Sequence, residues 1–111
     1  VTMSSTGRRM KPWENPHTLA AGLRVPSPYA DYLILQCLRE SDGTAMVVTD
    51  EEALAAVPEL ASLEGIFPCP EGAATLAALK KLLSDEMVDK NECIVLLNTG
   101  TGLKYLDVLA R

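Results

Sequence analysis

Apolar residues recur along the chain in two patterns: with helical spacing over long stretches, and without interruption over short ones. The first helical stretch follows Ser27-Pro28, a hydroxyl N-cap with proline at the first helical position, and Ser41-Asp42-Gly43 ends it. Five apolar residues at i, i+3, i+4, i+7 and i+8 lie on one face of this predicted helix: Ala30, Leu33, Ile34, Cys37 and Leu38.

A second helix is predicted to begin after Thr49. Thr49 and Glu52 have the T-x-x-E spacing of a capping box, in which each side chain accepts a hydrogen bond from the other residue's backbone N–H. Pro58 falls inside the helical pattern that follows. Because proline removes one helical hydrogen bond and clashes with the preceding turn, a kink or two short helices are expected. Gly65 is predicted to end the segment.

A third helix is predicted to open at Glu71-Gly72, and a short fourth helix is expected from about Leu103 to Leu109. The Glu71 carboxylate in the first turn suits the positive end of the helix dipole. Small residues in the third helix allow a sheet to approach it closely: Ala73, Ala74, Ala77 and Ala78.

Three short apolar stretches are predicted strands: Thr44–Val48, Gly65–Cys69 and Cys93–Leu97. They alternate with the helices along the chain, and the last is apolar on both faces. This order predicts an α/β fold in three layers, with a small parallel sheet of about three strands and helices on both faces.

The predicted α/β domain spans residues 27–111. A flexible leader over residues 1–12 and an irregular arm over residues 13–26 precede it, and residues 11–26 carry three prolines. Trp13, the only tryptophan, lies in the arm where no local core exists. It is expected either to dock on the domain or to pack on something absent from this chain.

Composition and charge narrow the class of protein. Apolar residues make up 48% of the chain, so a core can form. The net charge is -5, with +3 in residues 1–24 and -8 in residues 25–111, and an acidic body argues against nucleic acid as the main partner. No apolar run is long enough to span a membrane, and no signal peptide is recognised, so a cytoplasmic protein is expected.

Cysteine and histidine offer little chemistry of their own. Cys37, Cys69 and Cys93 lack the CxxC spacing of a zinc site, and their odd number disfavours a disulfide framework. All three lie in apolar runs and are predicted to be reduced and buried. His17 is the only histidine, so neither a histidine-pair metal site nor a serine–histidine–acid set can be assembled.

Two loops carry the candidate chemistry, since ligands of parallel sheets collect beyond the carboxyl ends of the strands. Cys69–Gly72 and Asn98–Gly102 each combine a polar side chain with glycine at the start of a helix, where backbone N–H groups are available. The second, NTGTG, is neither a G-x-G-x-x-G fingerprint nor a Walker loop. Taken alone it fits ligand contact and plain turn chemistry almost equally.

Four segments read in order resemble the C-terminal part of the threonine synthases, members of the pyridoxal-phosphate fold-type II group that also contains the tryptophan synthase β subunit and the serine and threonine dehydratases. The segments are TLAAGLRVPSP, LRESDGTAMVVTDEEAL, EGIFPCPEGAATLAALKKL and IVLLNTGTGLKY. The resemblance covers roughly residues 13–109.

The resemblance implies an enzyme that converts O-phosphohomoserine and water to threonine and phosphate. It also implies that pyridoxal 5'-phosphate lies flat at the strand ends, where the hydroxyl of Thr99 contacts its pyridine nitrogen while Gly100 and Gly102 keep bulk away from the ring. A neutral hydroxyl can donate to an unprotonated pyridine nitrogen, whereas a carboxylate would favour the protonated ring. Glu71 is a further expected cofactor contact, although the family's usual Glu-Pro-x-Gly here begins with Cys69.

The family's Schiff-base lysine and its glycine-rich phosphate loop have no match in this sequence. The chain is therefore expected to hold no catalytic residue, to be inactive alone, and not to bind the cofactor by itself. Expected partners are the remainder of the enzyme chain, a second copy in a homo-oligomer and a small amino-acid substrate, with no nucleic acid and no membrane. Two alternatives stay open: a non-enzymatic small α/β binding module, and a fragment of a related threonine or serine dehydratase.

Overall fold

A computed structural model describes residues 10–110 of the chain. Most of the predicted leader, residues 1–9, and the last residue lie outside the described residues. The described residues contain helices α1 (Asp31–Glu40), α2 (Asp50–Glu64), α3 (Pro70–Ser84) and α4 (Leu106–Leu109), with 3-10 turns at Ala21–Leu23 and Gly102–Tyr105. They divide into two compact units, one of residues 10–18 and 22–46 and the other of residues 19–21 and 47–110.

In the first unit, α1 begins at Asp31 and not at the predicted Ser27 N-cap. The Asp31 carboxylate is buried and accepts hydrogen bonds from the backbone N–H groups of Tyr32, at 2.7 Å, and Met10, at 2.9 Å. The second of these hydrogen bonds joins residues that are 21 positions apart. This long-range contact fixes Asp31 at the start of the helix, and the N-cap sequence at Ser27 does not determine where the helix begins. The helix ends as predicted, with Ser41 as C-cap and the Gly43 N–H donating to the Leu38 carbonyl at 2.9 Å.

The buried face of α1 is not the predicted one. Asp31 and Leu35, one helical turn apart, are the buried residues of this helix. Leu33 is 50% exposed, and Ile34 and Cys37 are also exposed. Helical spacing identified the helix correctly, but the apolar face that it marked is in contact with solvent in this chain.

In the second unit, α2 has the end signals predicted for it. The Thr49 side chain accepts from the Glu52 N–H, and the Glu52 side chain accepts from the Thr49 N–H, which completes the capping box. Gly65 caps the other end in the left-handed region at φ 67°. Pro58 does not divide the helix in two, because the cap and the packing against α3 offset the one backbone hydrogen bond that proline removes.

The core of the second unit lies where α2 packs against α3. Ala56 and Val57 of α2 meet Ala73 and Ala77 of α3, and Ala73 is fully buried. The alanines of α3 therefore permit close approach to a helix, not to the predicted sheet. Small side chains on both helices let their backbones come near one another, so the two helices pack closely.

Two ion pairs lie beside this core. Lys80 Nζ is 2.5 Å from Glu59 Oε2, and Lys81 Nζ is 2.6 Å from Glu52 Oε2. The hydrogen bond from Lys81, and after it the one from the Thr49 backbone, lowers the pKa of Glu52 below its ordinary value of 4.5. Glu52 therefore serves both the start of α2 and its attachment to α3.

The predicted parallel sheet does not form within residues 10–110. The three predicted strands, Thr44–Val48, Gly65–Cys69 and Cys93–Leu97, have no regular structure there apart from one isolated antiparallel bridge between Pro68 and Thr101. A strand requires a paired neighbour for its backbone hydrogen bonds, and these stretches do not pair with one another. Each stretch leaves apolar side chains exposed, among them Val47, Ile66 and Val95, the last to 77%, whereas Pro68 and Cys69 are buried.

Three smaller predictions can be compared with the structure. Of the cysteines, Cys69 is buried as predicted, whereas Cys37 and Cys93 are exposed. Trp13 is about half exposed, and its backbone N–H donates to the Pro26 carbonyl at 2.9 Å. The predicted fourth helix is a 3-10 turn followed by the single turn of α4. No helix in the described part of the chain has the length and apolarity needed to cross a membrane.

Candidate functional site

The two loops selected from the sequence lie against each other in the second unit. The Cys69 N–H donates to the Gly100 carbonyl at 3.0 Å, and the Gly102 N–H donates to the Phe67 carbonyl at 2.9 Å. These two hydrogen bonds flank the bridge between Pro68 and Thr101. The loop that contains Thr99 is thus fixed to the segment that leads into α3.

The first turn of α3 uses most of its own hydrogen-bond donors. Cys69 is the N-cap, and its sulfur accepts from the Gly72 N–H at 3.4 Å while its carbonyl accepts from the Ala73 N–H at 2.9 Å. Pro70 has no N–H to offer. The sequence predicted that N–H groups would be available to a ligand here, but the turn itself takes up those of Gly72 and Ala73.

Three glycines allow the loops to come this close. A Cβ atom on Gly102 would lie 2.8 Å from the Phe67 ring and from the Pro68 carbonyl oxygen, and one on Gly100 would lie 3.2 Å from the Cys69 sulfur. A Cβ on Gly72 would lie 2.0 Å from Asn98 Oδ1. Loop-to-loop packing therefore supplies a reason for each glycine, separate from the predicted cofactor contact of Gly100 and Gly102.

The two threonines of the loop differ in their environment. Thr101 caps the following 3-10 turn, with its Oγ1 accepting from the Leu103 N–H at 3.3 Å. Thr99 is exposed, and its hydroxyl makes no hydrogen bond to other residues in the 10–110 range. One hydroxyl is thus used to build the turn, and the other is available to a ligand.

Glu71, the second residue of α3, contacts the residue that ends the 3-10 turn. Tyr105 donates its hydroxyl proton to Glu71 Oε1 at 2.5 Å, and the other carboxylate oxygen, Oε2, is buried. Sequence reasoning selected Glu71 and missed Tyr105. The two residues are 34 positions apart, and no spacing rule links positions so distant, so only the fold could identify the pair.

Other chemistry is scarce around the loops. Lys104 is exposed, and the described residues contain no group of three side chains suited to hold a metal ion. The side chain that the loop presents at its tip is an uncharged hydroxyl. Such a group can donate one hydrogen bond and can also accept, without bringing a charge.

Comparisons with known proteins place the chain in context. The model of a family described as pyridoxal-phosphate dependent enzyme matches residues 2–100. The chain is 42% identical over 100 residues to the threonine synthase of Methanocaldococcus jannaschii and 45% identical over 93 residues to that of Methanosarcina acetivorans. The threonine synthase of Halalkalibacterium halodurans is 37% identical over 91 residues.

These matches include 82% to 90% of this chain but only 23% to 26% of each relative. The chain thus spans about a quarter of the length of the curated relatives that it matches.

Proposed function

Because the chain belongs to the family of pyridoxal-phosphate dependent enzymes, we propose that it is the C-terminal part of a threonine synthase. The whole enzyme would convert O-phosphohomoserine and water to threonine and phosphate. The observation that carries this proposal is 42% and 45% identity to two threonine synthases over most of the chain. The family uses pyridoxal phosphate and has a fold of the α/β class.

The cofactor supplies an electron sink for carbon chemistry when it is bound. In this proposal Thr99 donates a hydrogen bond to the pyridine nitrogen and holds the ring in its unprotonated form. Two observations support the assignment: the Thr99 side chain is exposed at the tip of its loop, and its hydroxyl has no partner within residues 10–110. Gly100, beside it, brings no side chain that would cover the hydroxyl.

Glu71 is proposed to support this wall of the site. Its carboxylate, in the first turn of α3, accepts a hydrogen bond from the Tyr105 hydroxyl. Glu71 lies two residues after Cys69, whose N–H donates to the Gly100 carbonyl in the loop. Negative charge near the N-terminus of a helix is stabilised by the helix dipole. Glu71 would thus lie beside the cofactor while the Thr99 hydroxyl, which is neutral, makes the contact with the ring nitrogen.

The rest of the active site would come from polypeptide that this chain does not contain. A chain with a quarter of the relatives' length can provide one wall, so we expect no turnover by these residues alone. The proposed partners are the remainder of the enzyme, a second copy of it in a homo-oligomer, and the amino-acid substrate. A location in the cytoplasm is part of the same proposal.

A chimera tests the proposal inside a whole enzyme. The matching 100-residue segment of the Methanocaldococcus jannaschii threonine synthase is replaced by this chain, and the product is tested for growth of a threonine auxotroph and for phosphate release. We expect both activities. A chimera that binds pyridoxal phosphate but instead deaminates threonine would favour the dehydratase alternative, and one that binds no cofactor would contradict the proposal.

The Thr99 contact is tested in the same chimera. Thr99→Val removes the hydroxyl and keeps the shape, and it should weaken cofactor binding about tenfold and alter the absorbance of the bound cofactor, since one hydrogen bond is lost. Thr99→Ser keeps the hydroxyl and should stay close to the parent chimera. If Thr99→Val leaves both the affinity and the spectrum unchanged, Thr99 does not contact the ring.

A further inference from the structure

A hydrogen bond between the side chains of Tyr105 and Glu71 joins the 3-10 turn that follows Thr99 to the first turn of α3. Tyr105 ends the 3-10 turn Gly102–Tyr105, and Glu71 is the second residue of α3. The tyrosine hydroxyl donates to Glu71 Oε1 at 2.5 Å, and both residues are partly buried. A hydroxyl that donates to a carboxylate makes a charge-assisted hydrogen bond, which is among the stronger kinds in proteins.

The other attachments of the loop are to the same short segment. Backbone hydrogen bonds join Gly100 and Gly102 to Cys69 and Phe67. These bonds hold residues 100 to 102. Three residues further along the chain, the Tyr105 hydroxyl binds Glu71, which lies two residues beyond Cys69. Thr99 directly precedes the stretch that is fastened at both ends.

The residues on the Thr99 side of the loop are held less firmly. Asn98 lies against Gly72 of α3, but its side chain is exposed, and neither Asn98 nor Thr99 makes a side-chain hydrogen bond within residues 10–110. The direction in which Thr99 points therefore depends on the fixed stretch that follows it. Loss of the Tyr105 contact would free the end of the 3-10 turn and leave the stretch after Thr99 held by the backbone hydrogen bonds of Gly100 and Gly102, which would then open more often.

We propose that Tyr105 is a positioning residue, which acts through its hydrogen bond to Glu71 to hold the turn that presents the Thr99 hydroxyl. Tyr105 need not touch the cofactor or the substrate. The effect on cofactor binding rests on the proposed function, whereas the effect on the loop does not. The two can be measured separately in the chimera described above.

Hydrogen exchange in the cofactor-free chimera tests the effect on the loop. Tyr105→Phe deletes one oxygen atom, and exchange of the backbone amides from Thr99 to Tyr105 should accelerate about fivefold to tenfold, as expected when one hydrogen bond that closes the turn is lost. Tyr29→Phe is the matched control, because Tyr29 is 98% exposed, and it should leave exchange unchanged. Unaltered exchange in Tyr105→Phe would overturn the proposal.

A second variant covers the case in which Tyr105→Phe fails to fold. Glu71→Gln keeps an oxygen that can accept from Tyr105 but removes the charge, so the same amides should exchange faster by a smaller factor. If Glu71→Gln folds and its exchange over Thr99 to Tyr105 equals that of the parent chimera, the contact does not hold the loop, and the proposal fails.

A double-mutant cycle distinguishes positioning through Thr99 from a general structural role. Tyr105→Phe should weaken cofactor binding about threefold to tenfold and shift the cofactor absorbance in the same direction as Thr99→Val. In the Thr99→Val background, Tyr105→Phe should have no further effect on affinity, because the group that it positions is gone. Additive losses would contradict action through Thr99.

The outcomes separate the two proposals. Faster loop exchange in Tyr105→Phe, with cofactor affinity unchanged in both Tyr105→Phe and Thr99→Val, would refute the cofactor role of Thr99 and support the loop contact. Weaker cofactor binding in Thr99→Val alone, with unchanged loop exchange in Tyr105→Phe, would support the role of Thr99 and refute that of Tyr105.

Discussion

Helices α2 and α3 and the stretch Cys93–Leu97 all carry apolar residues, but the helices bury theirs and the stretch, which is apolar throughout, leaves most of its side chains exposed. The helices bury Ala56, Val57, Ala73 and Ala77 against each other. In Cys93–Leu97, Val95 and Leu97 are more than 70% exposed. A helix satisfies its backbone within itself and needs a partner only for one face, whereas a strand needs partners for its backbone as well. A short chain can therefore form a stable pair of helices, whereas a strand stays unpaired when the chain contains no neighbouring strand for it.

The largest effect is expected from filling the contact between α2 and α3. Ala73 is fully buried between the helices, so Ala73→Leu should force them apart and lower the free energy of unfolding by about 1–3 kcal/mol. Urea denaturation followed by circular dichroism measures this loss.

Ser84→Leu is the control for that substitution, because it adds the same side chain at the exposed end of α3. It should change stability by less than about 0.5 kcal/mol. Equal losses from the two substitutions would mean that the two helices do not form the core of this unit.

Glycine substitutions in the paired loops should come next in size. A Cβ on Gly102 would lie 2.8 Å from the Phe67 ring and from the Pro68 carbonyl oxygen. The carbonyl belongs to the backbone, so it can move away only if the backbone of the bridge shifts. Gly102→Ala should therefore cost about 1–2 kcal/mol in thermal or urea unfolding.

Gly72→Ala is the matched comparison. Its Cβ mainly meets the side chain of Asn98, which is exposed and can turn away, so the cost should stay below about 1 kcal/mol. The reverse order of the two losses would show that Asn98 is held more firmly than the backbone of the bridge.

Local signals predicted the ends of the helices well. The capping box at Thr49, the left-handed Gly65 and the stop at Ser41–Gly43 all depend on residues within a few positions of one another. Ser27 failed as a helix start because the buried Asp31 is bound by Met10, 21 residues away. Pattern alone gave the right helix with the wrong buried face.

The candidate site divides in the same way. Both loops follow from their positions after predicted strands, whereas Thr99 was selected by the resemblance to the threonine synthases, and the structure brings the loops together. The Tyr105 contact joins residues 34 positions apart and left no sequence signal. The parallel sheet was expected from three apolar stretches that do not pair with one another within residues 10–110. The pattern of a stretch does not show whether a pairing partner is present in the same chain.

The start of α2 should respond to both mutation and pH. Thr49→Ala removes the oxygen that accepts the Glu52 N–H and should cost about 1 kcal/mol in urea denaturation. Thr49→Ser keeps the hydroxyl and should cost much less. A loss as large for serine as for alanine would mean that the cap hydrogen bond contributes nothing.

The pH dependence follows from Glu52. Its pKa is lowered in the folded chain, first by the hydrogen bond from Lys81 and then by that from the Thr49 backbone. The stabilisation is therefore fully present above the ordinary carboxyl pKa of 4.5 and is lost as pH falls through the lower folded value. Glu52→Gln should reduce the fall in thermal midpoint between about pH 6 and about pH 3; an unchanged fall would exclude this carboxylate as its source.

The smallest effect in the chain itself is expected at Val95, and it tests the comparison most directly. Val95 is 77% exposed, so Val95→Lys should change the stability of the 111-residue chain by less than about 0.5 kcal/mol. In the chimera, Val95 would enter a buried sheet, and the same lysine should cost several-fold more because an unpaired charge would be buried. Urea denaturation of both proteins measures the two costs. Equal, small costs would mean that Cys93–Leu97 stays exposed in the whole enzyme. The exposure of this stretch, in contrast to the burial between α2 and α3, would then not be explained by missing strand partners.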